Sequence, residues 1–412
     1  MYKRVAGTKD ILPQEICQWQ EIEDTARRIF ALFNYRECRP PLIEEAALFN
    51  RSLGQSSEIV QKQIFIIQNK EEAYALRPEG TASVVRAYIE NSLDKTSAFQ
   101  KLYYIGPMFR LERPQKGRLR QFHHIGCEAI GSTDASLDVE TIALADRLLK
   151  EFGVQGYKIK LNSLGCLEDK KELGRLLHKE LKNNLAKLCE ECQRRFEGNV
   201  LRILDCKNDG CREIVSKLSL KDQYLCAPCK DHFARVTKGL DALKIEYELS
   251  PHLVRGLDYY TGTVFEISHD NLGSQDAVGA GGRYNNLVKE LGGPDTGAIG
   301  FAFGVERLLL AAGQKSEGQN KNLTYIITLG EEARIYGLKI LYELRKESIP
   351  ADADYEGKSL KAAMRSANDL NAKFVVIIGE DELKKDVLTL KNMESGEQKE
   401  LSSRDLIKEL KC

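Results

Sequence analysis

The chain carries no net charge: 61 Lys+Arg stand against 61 Asp+Glu over 412 residues. A protein that binds polyanions over its whole surface is thereby excluded, and any phosphate site must be local. No apolar run reaches the length of a membrane span. The opening "MYKRVAGTKD" lacks the apolar core of a secretory signal. Together these absences predict a cytoplasmic protein with no membrane partner. No G-x-x-x-x-G-K-[ST] stretch occurs, which excludes a P-loop ATPase. Internal repeats and low-complexity tracts are missing as well.

The length predicts two or three domains. Pro13 opens a helical pattern in which Ile16, Trp19, Ile22, Ala26, Ile29 and Phe33 recur at spacings of three and four, up to the prolines of "NYRECRPP". "KLYYIGPMFRLE" and "RLRQFHHIGCEAIG" read as antiparallel strands joined by the turn "RPQKG", followed by a helix near 137–152 and the strand "YKIKLNSLG". From 166 to 245 the texture becomes polar, helical, cysteine-rich and mildly basic, as in an insertion. Glycine-rich strands then return ("TVFEISHD", "AVGAGGRYNNLV", "TGAIGFAFGVERLLLAA"), the last ending as a helix. "GQKSEGQNKN" has linker composition. Beyond it, strands and helices alternate, which implies a small, mostly parallel α/β domain. The expected organisation is therefore α+β: a core in two parts, 1–165 and 246–315, the insertion 166–245, and a separate domain 323–412.

Eleven cysteines are many for a reducing compartment, where disulfides are rare. Six lie between Cys189 and Cys229. The pairs "CEEC" (189–192) and "CAPC" (226–229) flank Cys206 and Cys211. Two C-x-x-C pairs suit tetrahedral thiolate coordination, so Cys189, Cys192, Cys226 and Cys229 are expected to hold a structural Zn2+; free thiols are the alternative.

The densest chemistry sits in "FRLERPQKGRLRQFHHIGCE", residues 109–128. Strand alternation puts Arg118, Arg120, Phe122, His124, Gly126 and Glu128 on one face of the second strand, and Arg110 and Glu112 together on the first. If these faces align, arginine, histidine and carboxylate look into one cavity, a combination suited to a ligand bearing phosphate and a cation. A solvated surface hairpin is the plainer alternative.

"FRLE", a basic loop and "RQFHHIGCE" resemble motif 2 of the class II aminoacyl-tRNA synthetases, in its histidyl version. Other stretches agree, in order. "RPPLIEEAALF" resembles motif 1, with Pro41 as its central proline, and "RPEGTASVVR" the amino-acid-binding loop. "LVRGLDYYTGTVFE" and "AVGAGGRYNNLV" resemble the histidyl-specific motifs, and "GFAFGVERL" motif 3. The resemblance implies an antiparallel-sheet catalytic core, an anticodon-binding C-terminal α/β domain, and a homodimer built through motif 1. It implies a ligase that joins L-histidine to ATP, with Mg2+, and passes histidine to the 3'-terminal adenosine of tRNA(His).

By that resemblance Arg110 holds the α-phosphate, Glu112 contacts adenine, Arg307 meets the γ-phosphate, and Arg255 sits beside the reacting carboxylate. Glu79 and Thr81 match the amine-binding pair. Glu128 and Tyr260 match the imidazole contacts, with Tyr259 lining the pocket. Arg113, Gln115, Lys116 and Arg118 are placed for the tRNA acceptor end. One position departs from the family pattern: "FHH" stands where the family usually has "FHQ", so His124 replaces an amide. A neutral imidazole both donates and accepts, as an amide does, whereas a charged one would repel the substrate ammonium. Two other readings remain: a regulatory protein on the same fold, which typically lacks the intact catalytic arginines, and another class II synthetase, which "RGLDYYTGTVFE" disfavours.

Overall fold

The computed structural model describes residues 2–411 apart from 55–56, 58, 70–71, 115–116, 221, 274–275 and 314–321. It divides into two units, Met1–Lys315 and Ser316–Cys412. Strands are numbered along the chain. In the first unit they are β1 Arg36–Glu37, β2 Ile43–Glu45, β3 Phe65–Asn69, β4 Glu72–Leu76, β5 Gln100–Phe109, β6 Gln121–Ile130, β7 Lys158–Ser163, β8 Glu248–Leu249, β9 Thr261–Ser268, β10 Ala277–Arg283 and β11 Ala298–Gly304. Eight of them form one sheet in the order β1-β5-β6-β11-β10-β9-β7-β8, antiparallel except at its two ends. β2, β4 and β3 form a small separate sheet.

The helix expected from Pro13 runs Pro13–Leu32, with proline in the first turn, where its missing N–H costs nothing. Its apolar stripe of Trp19, Ile22, Ala26 and Ile29 is buried against the sheet, and the helix Ala135–Glu151 packs into the same core. Ile125, Cys127 and Ala129 of β6 face that core. The other face of the strand, carrying His124, Gly126 and Glu128, is thereby left for the site. Arg283 of β10 and Asp138 form a buried ion pair, 2.5 Å apart, closed further by the carbonyls of Ser132 and Asp134.

β5 and β6 pair from Gln100↔Ile130 to Phe109↔Gln121. The connection is thus residues 110–120, longer than the expected five-residue turn. Past Phe109 the ladder gives way to other partners: Leu111 N–H donates to the Gln63 carbonyl (2.7 Å) and Arg120 N–H to the Gly7 carbonyl (2.7 Å).

Residues 166–245 are helical, with α-helices Leu167–Leu181, Glu190–Glu197, Asp209–Ser216 and Ala227–Ala242 between β7 and β8. They do not form a body of their own: Leu173, Leu177 and Ile203 share one apolar core with Phe49, Tyr88 and Tyr259.

The second unit has strands β12 Thr324–Thr328, β13 Ala351–Ala353, β14 Phe374–Ile378, β15 Leu388–Asn392 and β16 Gln398–Leu401 in the order β13-β12-β14-β15-β16. β12 pairs parallel with β13 and β14, whereas β14–β15 and β15–β16 are antiparallel. The sheet is mixed rather than mostly parallel, because the short link between β15 and β16 permits a hairpin but no crossover helix. Among the described residues no helix is long and apolar enough to cross a membrane.

Candidate active site

A cavity of ≈ 310 Å³ opens on the polar face of the large sheet. Its walls bring together Glu79, Thr81, Arg110, Glu112, Arg118, His124, Arg255, Tyr259, Tyr260 and Arg307, drawn from segments far apart in sequence. Arg120 does not line the cavity; it donates to the backbone carbonyls of Ala6 at 3.2 Å and Glu112 at 3.4 Å.

Arg110 follows directly on β5. Its Nε donates to the Pro78 carbonyl (2.9 Å), and its guanidinium lies 5.2 Å from the Phe122 ring centre, which together fix its direction. Burial lowers its pKa, so its charge is poorly hydrated and available to an anion. Arg307 stands in the first turn of the helix Val305–Ala312; its Nε donates to the Gly117 carbonyl at 3.0 Å and another nitrogen to the Ala277 carbonyl at 2.5 Å. Its pKa too is lowered, by burial and then by Arg118. Arg255 pairs with Glu266 of β9 at 2.5 Å, and its Nε is buried without a hydrogen-bond partner.

Glu79 is buried at the start of the helix Thr81–Glu90. Its carboxylate accepts from the backbone N–H groups of Thr81 (2.7 Å) and Ala82 (2.8 Å), satisfying donors that the first helical turn leaves open. Burial raises its pKa.

Glu128 is 1% exposed and lies beneath the cavity floor rather than on its wall. Three hydroxyls enclose it: Thr81 (2.6 Å) and Tyr104 (3.5 Å) donate to one oxygen, Tyr284 (2.5 Å) to the other. Burial pushes its pKa up to about 8, with these hydroxyls opposing. Gly300 makes room for it, since a Cβ there would lie 1.9 Å from a Glu128 oxygen. Gly126 and Gly80 do the same for the Tyr104 ring.

The Nδ1 of His124 is buried with no hydrogen-bond partner, and its ring lies 5.1 Å from that of Phe122. Burial first, then the charges of Arg110 and Arg77, hold its pKa well below the usual value. The imidazole is therefore neutral at pH 7. Its neighbour His123 points the opposite way, against Trp19 and Glu306.

Of the residues expected to meet RNA, Arg113 is exposed. Arg118 turns inward onto Glu112 at 3.1 Å, and Gln115 and Lys116 lie outside the described residues.

The expected zinc set is not assembled. Among the described residues two groups have ligand atoms within 4.8 Å of one another: Cys189, Cys192, Cys206 and Cys211, and Cys166, Asp169, Cys226 and Cys229. The two C-x-x-C pairs fall in different groups, because each opens its own helix, Glu190–Glu197 or Ala227–Ala242.

Sequence reasoning missed Tyr104, Tyr284 and Glu266. Tyr284 stands inside the quoted "GAGGRYNN", and Glu266 closes "TGTVFE", but nothing local marks either as pointing inward. Tyr104 alternates with Gly106 and Leu102 in a strand rich in aromatics, where a tyrosine reads as packing.

The family model for histidyl-tRNA synthetase matches residues 7–308, and that for the anticodon binding domain matches 324–412. The chain is 46% identical over 411 residues to the histidine–tRNA ligase of Thermosipho melanesiensis, covering 99% of this chain and 97% of the relative. It is 45% identical over 412 residues to that of Halothermothrix orenii, covering 99% and 98%. The crystal structure of apo S. aureus histidyl-tRNA synthetase superposes with a TM-score of 0.83 at 35% identity, covering 100% of both chains. On these likenesses, which run the length of the molecule, the chain belongs to the histidyl-tRNA synthetase family of class II ligases, which charge tRNA(His) with histidine.

Proposed function

We propose that the cavity binds ATP and L-histidine together and forms histidyl-adenylate. The carboxylate oxygen of histidine attacks the α-phosphorus, the bond to the bridging oxygen breaks, and pyrophosphate leaves with its electron pair. The nucleophile is already ionised, so no general base is needed. The work is alignment and offsetting negative charge. Arg110 grips the α-phosphate, Arg307 the γ-phosphate, and Arg255 lies against the carboxylate and α-phosphate; Glu112 faces the adenine. The observation that carries this reading is the convergence of Arg110, Arg255 and Arg307 on one cavity, with the Arg255 Nε buried and unpartnered. Mg2+ would offset phosphate charge; Glu266, on the cavity wall, would supply an oxygen ligand of the kind it prefers.

Histidine selection rests on Glu79 and Thr81 for the ammonium and on Tyr259, Tyr260 and Glu128 for the imidazole. Glu128 acts through, or after displacement of, the hydroxyls that cover it. His124, neutral, accepts from the ammonium through its unpartnered nitrogen. An analogue lacking ring nitrogens would strand these buried groups.

Transfer to the 3'-terminal adenosine follows, with Arg113, Gln115 and Lys116 at the acceptor end, Arg118 joining if it leaves Glu112, and residues 323–412 reading the anticodon. The active form is a cytoplasmic homodimer joined through motif 1. Leu42, Ile43, Ile66 and Ile67 are exposed on and beside the small sheet, an apolar surface that favours a partner.

Histidine-dependent exchange of pyrophosphate into ATP tests the reading. Exchange with histidine and not with other amino acids is expected; no exchange, or equal exchange with any amino acid, refutes it.

A further inference from the structure

We propose that Cys189, Cys192, Cys206 and Cys211 hold a zinc ion that fixes the turn Val200–Asp205, which in turn braces the Arg255–Tyr260 loop of the site.

The ligand atoms of these four residues lie within 4.8 Å of one another. The sulfurs of Cys189 and Cys206 are 3.9 Å apart. A disulfide requires about 2.05 Å, whereas two sulfurs on one tetrahedral zinc, each at about 2.3 Å, stand roughly 3.8 Å apart. Two backbone donors already point at the sulfurs: Cys189 N–H lies 3.2 Å from the Cys211 Sγ and Asn208 N–H 3.4 Å from the Cys206 Sγ. Such donors stabilise thiolates and orient them on a metal. Cys192 and Cys211 are fully buried in the apolar core shared by the insertion and the catalytic body. Four thiolates there would repel one another unless a cation lay between them, and a site with four sulfurs in tetrahedral reach selects zinc over magnesium or calcium.

The surrounding chain needs such a staple. The helices Glu190–Glu197 and Asp209–Ser216 and the 3-10 turn Val200–Asp205 are short, below the length at which a helix holds itself. That turn nonetheless does positional work. Asn199 and Arg202 both donate to a carboxylate oxygen of Asp258 at 3.1 Å. Asp258 belongs to the loop that carries Arg255, Tyr259 and Tyr260. Asp205 and Lys207, on either side of Cys206, line the active-site cavity itself. A metal on Cys206 therefore sets the wall of the cavity as well as the fold of the insertion.

The second group stands differently. Both oxygens of Asp169 already accept backbone N–H groups, from Cys166 at 3.1 Å and Cys226 at 3.0 Å. It closes two helix ends and is no part of the proposal.

The full chain, purified in reductant without chelator, is analysed for zinc. About one zinc per chain is expected. Cys206→Ser lowers the content by about one, and Cys226→Ser leaves it unchanged. Cobalt(II) added to the stripped wild-type protein gives the charge-transfer and d–d bands of a four-thiolate tetrahedral site, a readout that stands even where the serine variant fails to fold. Stripping the metal raises the KM for histidine severalfold in the exchange assay. Zinc below about 0.2 per chain, loss of the metal in Cys226→Ser but not in Cys206→Ser, a cobalt spectrum with an oxygen ligand, or an unchanged histidine KM after stripping overturns the proposal.

Discussion

Replacing Glu128 with glutamine isolates what a buried carboxyl costs the fold. In the folded protein its pKa is pushed from 4.5 to about 8, mainly by burial. The folded state therefore keeps a proton that the unfolded chain releases above pH 4.5. Stability falls as pH rises through that window and levels off above about 8. A rise of roughly 3.5 in pKa, at 1.36 kcal/mol for each unit, corresponds to about 5 kcal/mol over the whole window, of which about 4 kcal/mol lies between pH 5 and 8. A glutamine side chain has nearly the same shape, keeps an acceptor for the hydroxyls and does not titrate. Urea unfolding of wild type and Glu128→Gln at pH 5, 6, 7 and 8 measures the difference. The chain has one tryptophan, Trp19, buried in the core of the first unit, so its fluorescence reports that unit alone. The stability of the variant relative to wild type should grow by several kcal/mol from pH 5 to 8. Parallel curves would falsify the assignment of a raised pKa to Glu128. The same variant should lose discrimination for histidine in the exchange assay, because an amide cannot give up a proton to become the acceptor that a ring N–H favours.

The remaining predictions concern other parts of the same molecule. His124, neutral in the folded state, should titrate below the free value near 6.5 in a labelled-histidine NMR experiment; a midpoint above that value contradicts the account of the amine contact. Its depressed pKa also means that the folded state binds fewer protons than the unfolded one, so stability should be lost as pH falls through about 6.5, less so in His124→Gln. Arg255→Ala should slow pyrophosphate exchange by ~10²–10³ while weakening histidine binding far less, since its charge acts mainly in the transition state; a pure KM effect refutes that role. Gly300→Ala places a Cβ against both the Glu128 carboxyl and the Cys127 carbonyl, 1.9 and 2.3 Å away, and should cost ~1–3 kcal/mol in urea unfolding; a neutral substitution would show that Glu128 does not occupy that space. Ile67→Asp, on an exposed strand of the small sheet, should shift the molecule toward monomer in sedimentation, and an unchanged assembly would exclude that surface as the interface.

Much of the site was legible because strand alternation is a local rule. Ile125, Cys127 and Ala129 go to the core, and His124 and Glu128 go to the other side, whatever the rest of the chain does. The helix at Pro13 was legible for the same reason: an apolar stripe with a period near 3.6 and a proline at its start need no tertiary information. Alternation did fail at the ends of the hairpin. Arg118 and Arg120 were expected on one face, yet Arg118 turns into the cavity onto the Glu112 carboxylate, whereas Arg120 is held off its wall by the backbone carbonyls of Ala6 and Glu112. The ladder stops at Phe109↔Gln121, and beyond it side-chain direction depends on which distant backbone the chain meets.

What the sequence by itself determined, then, is the chemistry available and the local geometry that presents it: the arginines, the tyrosine pair, the glycines and the order of the motifs, which carry the family likeness over the whole chain. Tertiary structure alone decided which groups share a space. It buried Glu128 under the hydroxyls of Thr81, Tyr104 and Tyr284, from three separate segments, so that its pKa rises with burial although those hydroxyls oppose the rise. It also divided six clustered cysteines between two groups rather than joining the two C-x-x-C pairs. The physical reason is the same in both cases. Spacing along a chain fixes neighbours within a turn or a strand, but desolvation and ligand geometry depend on distances between segments that only packing brings together.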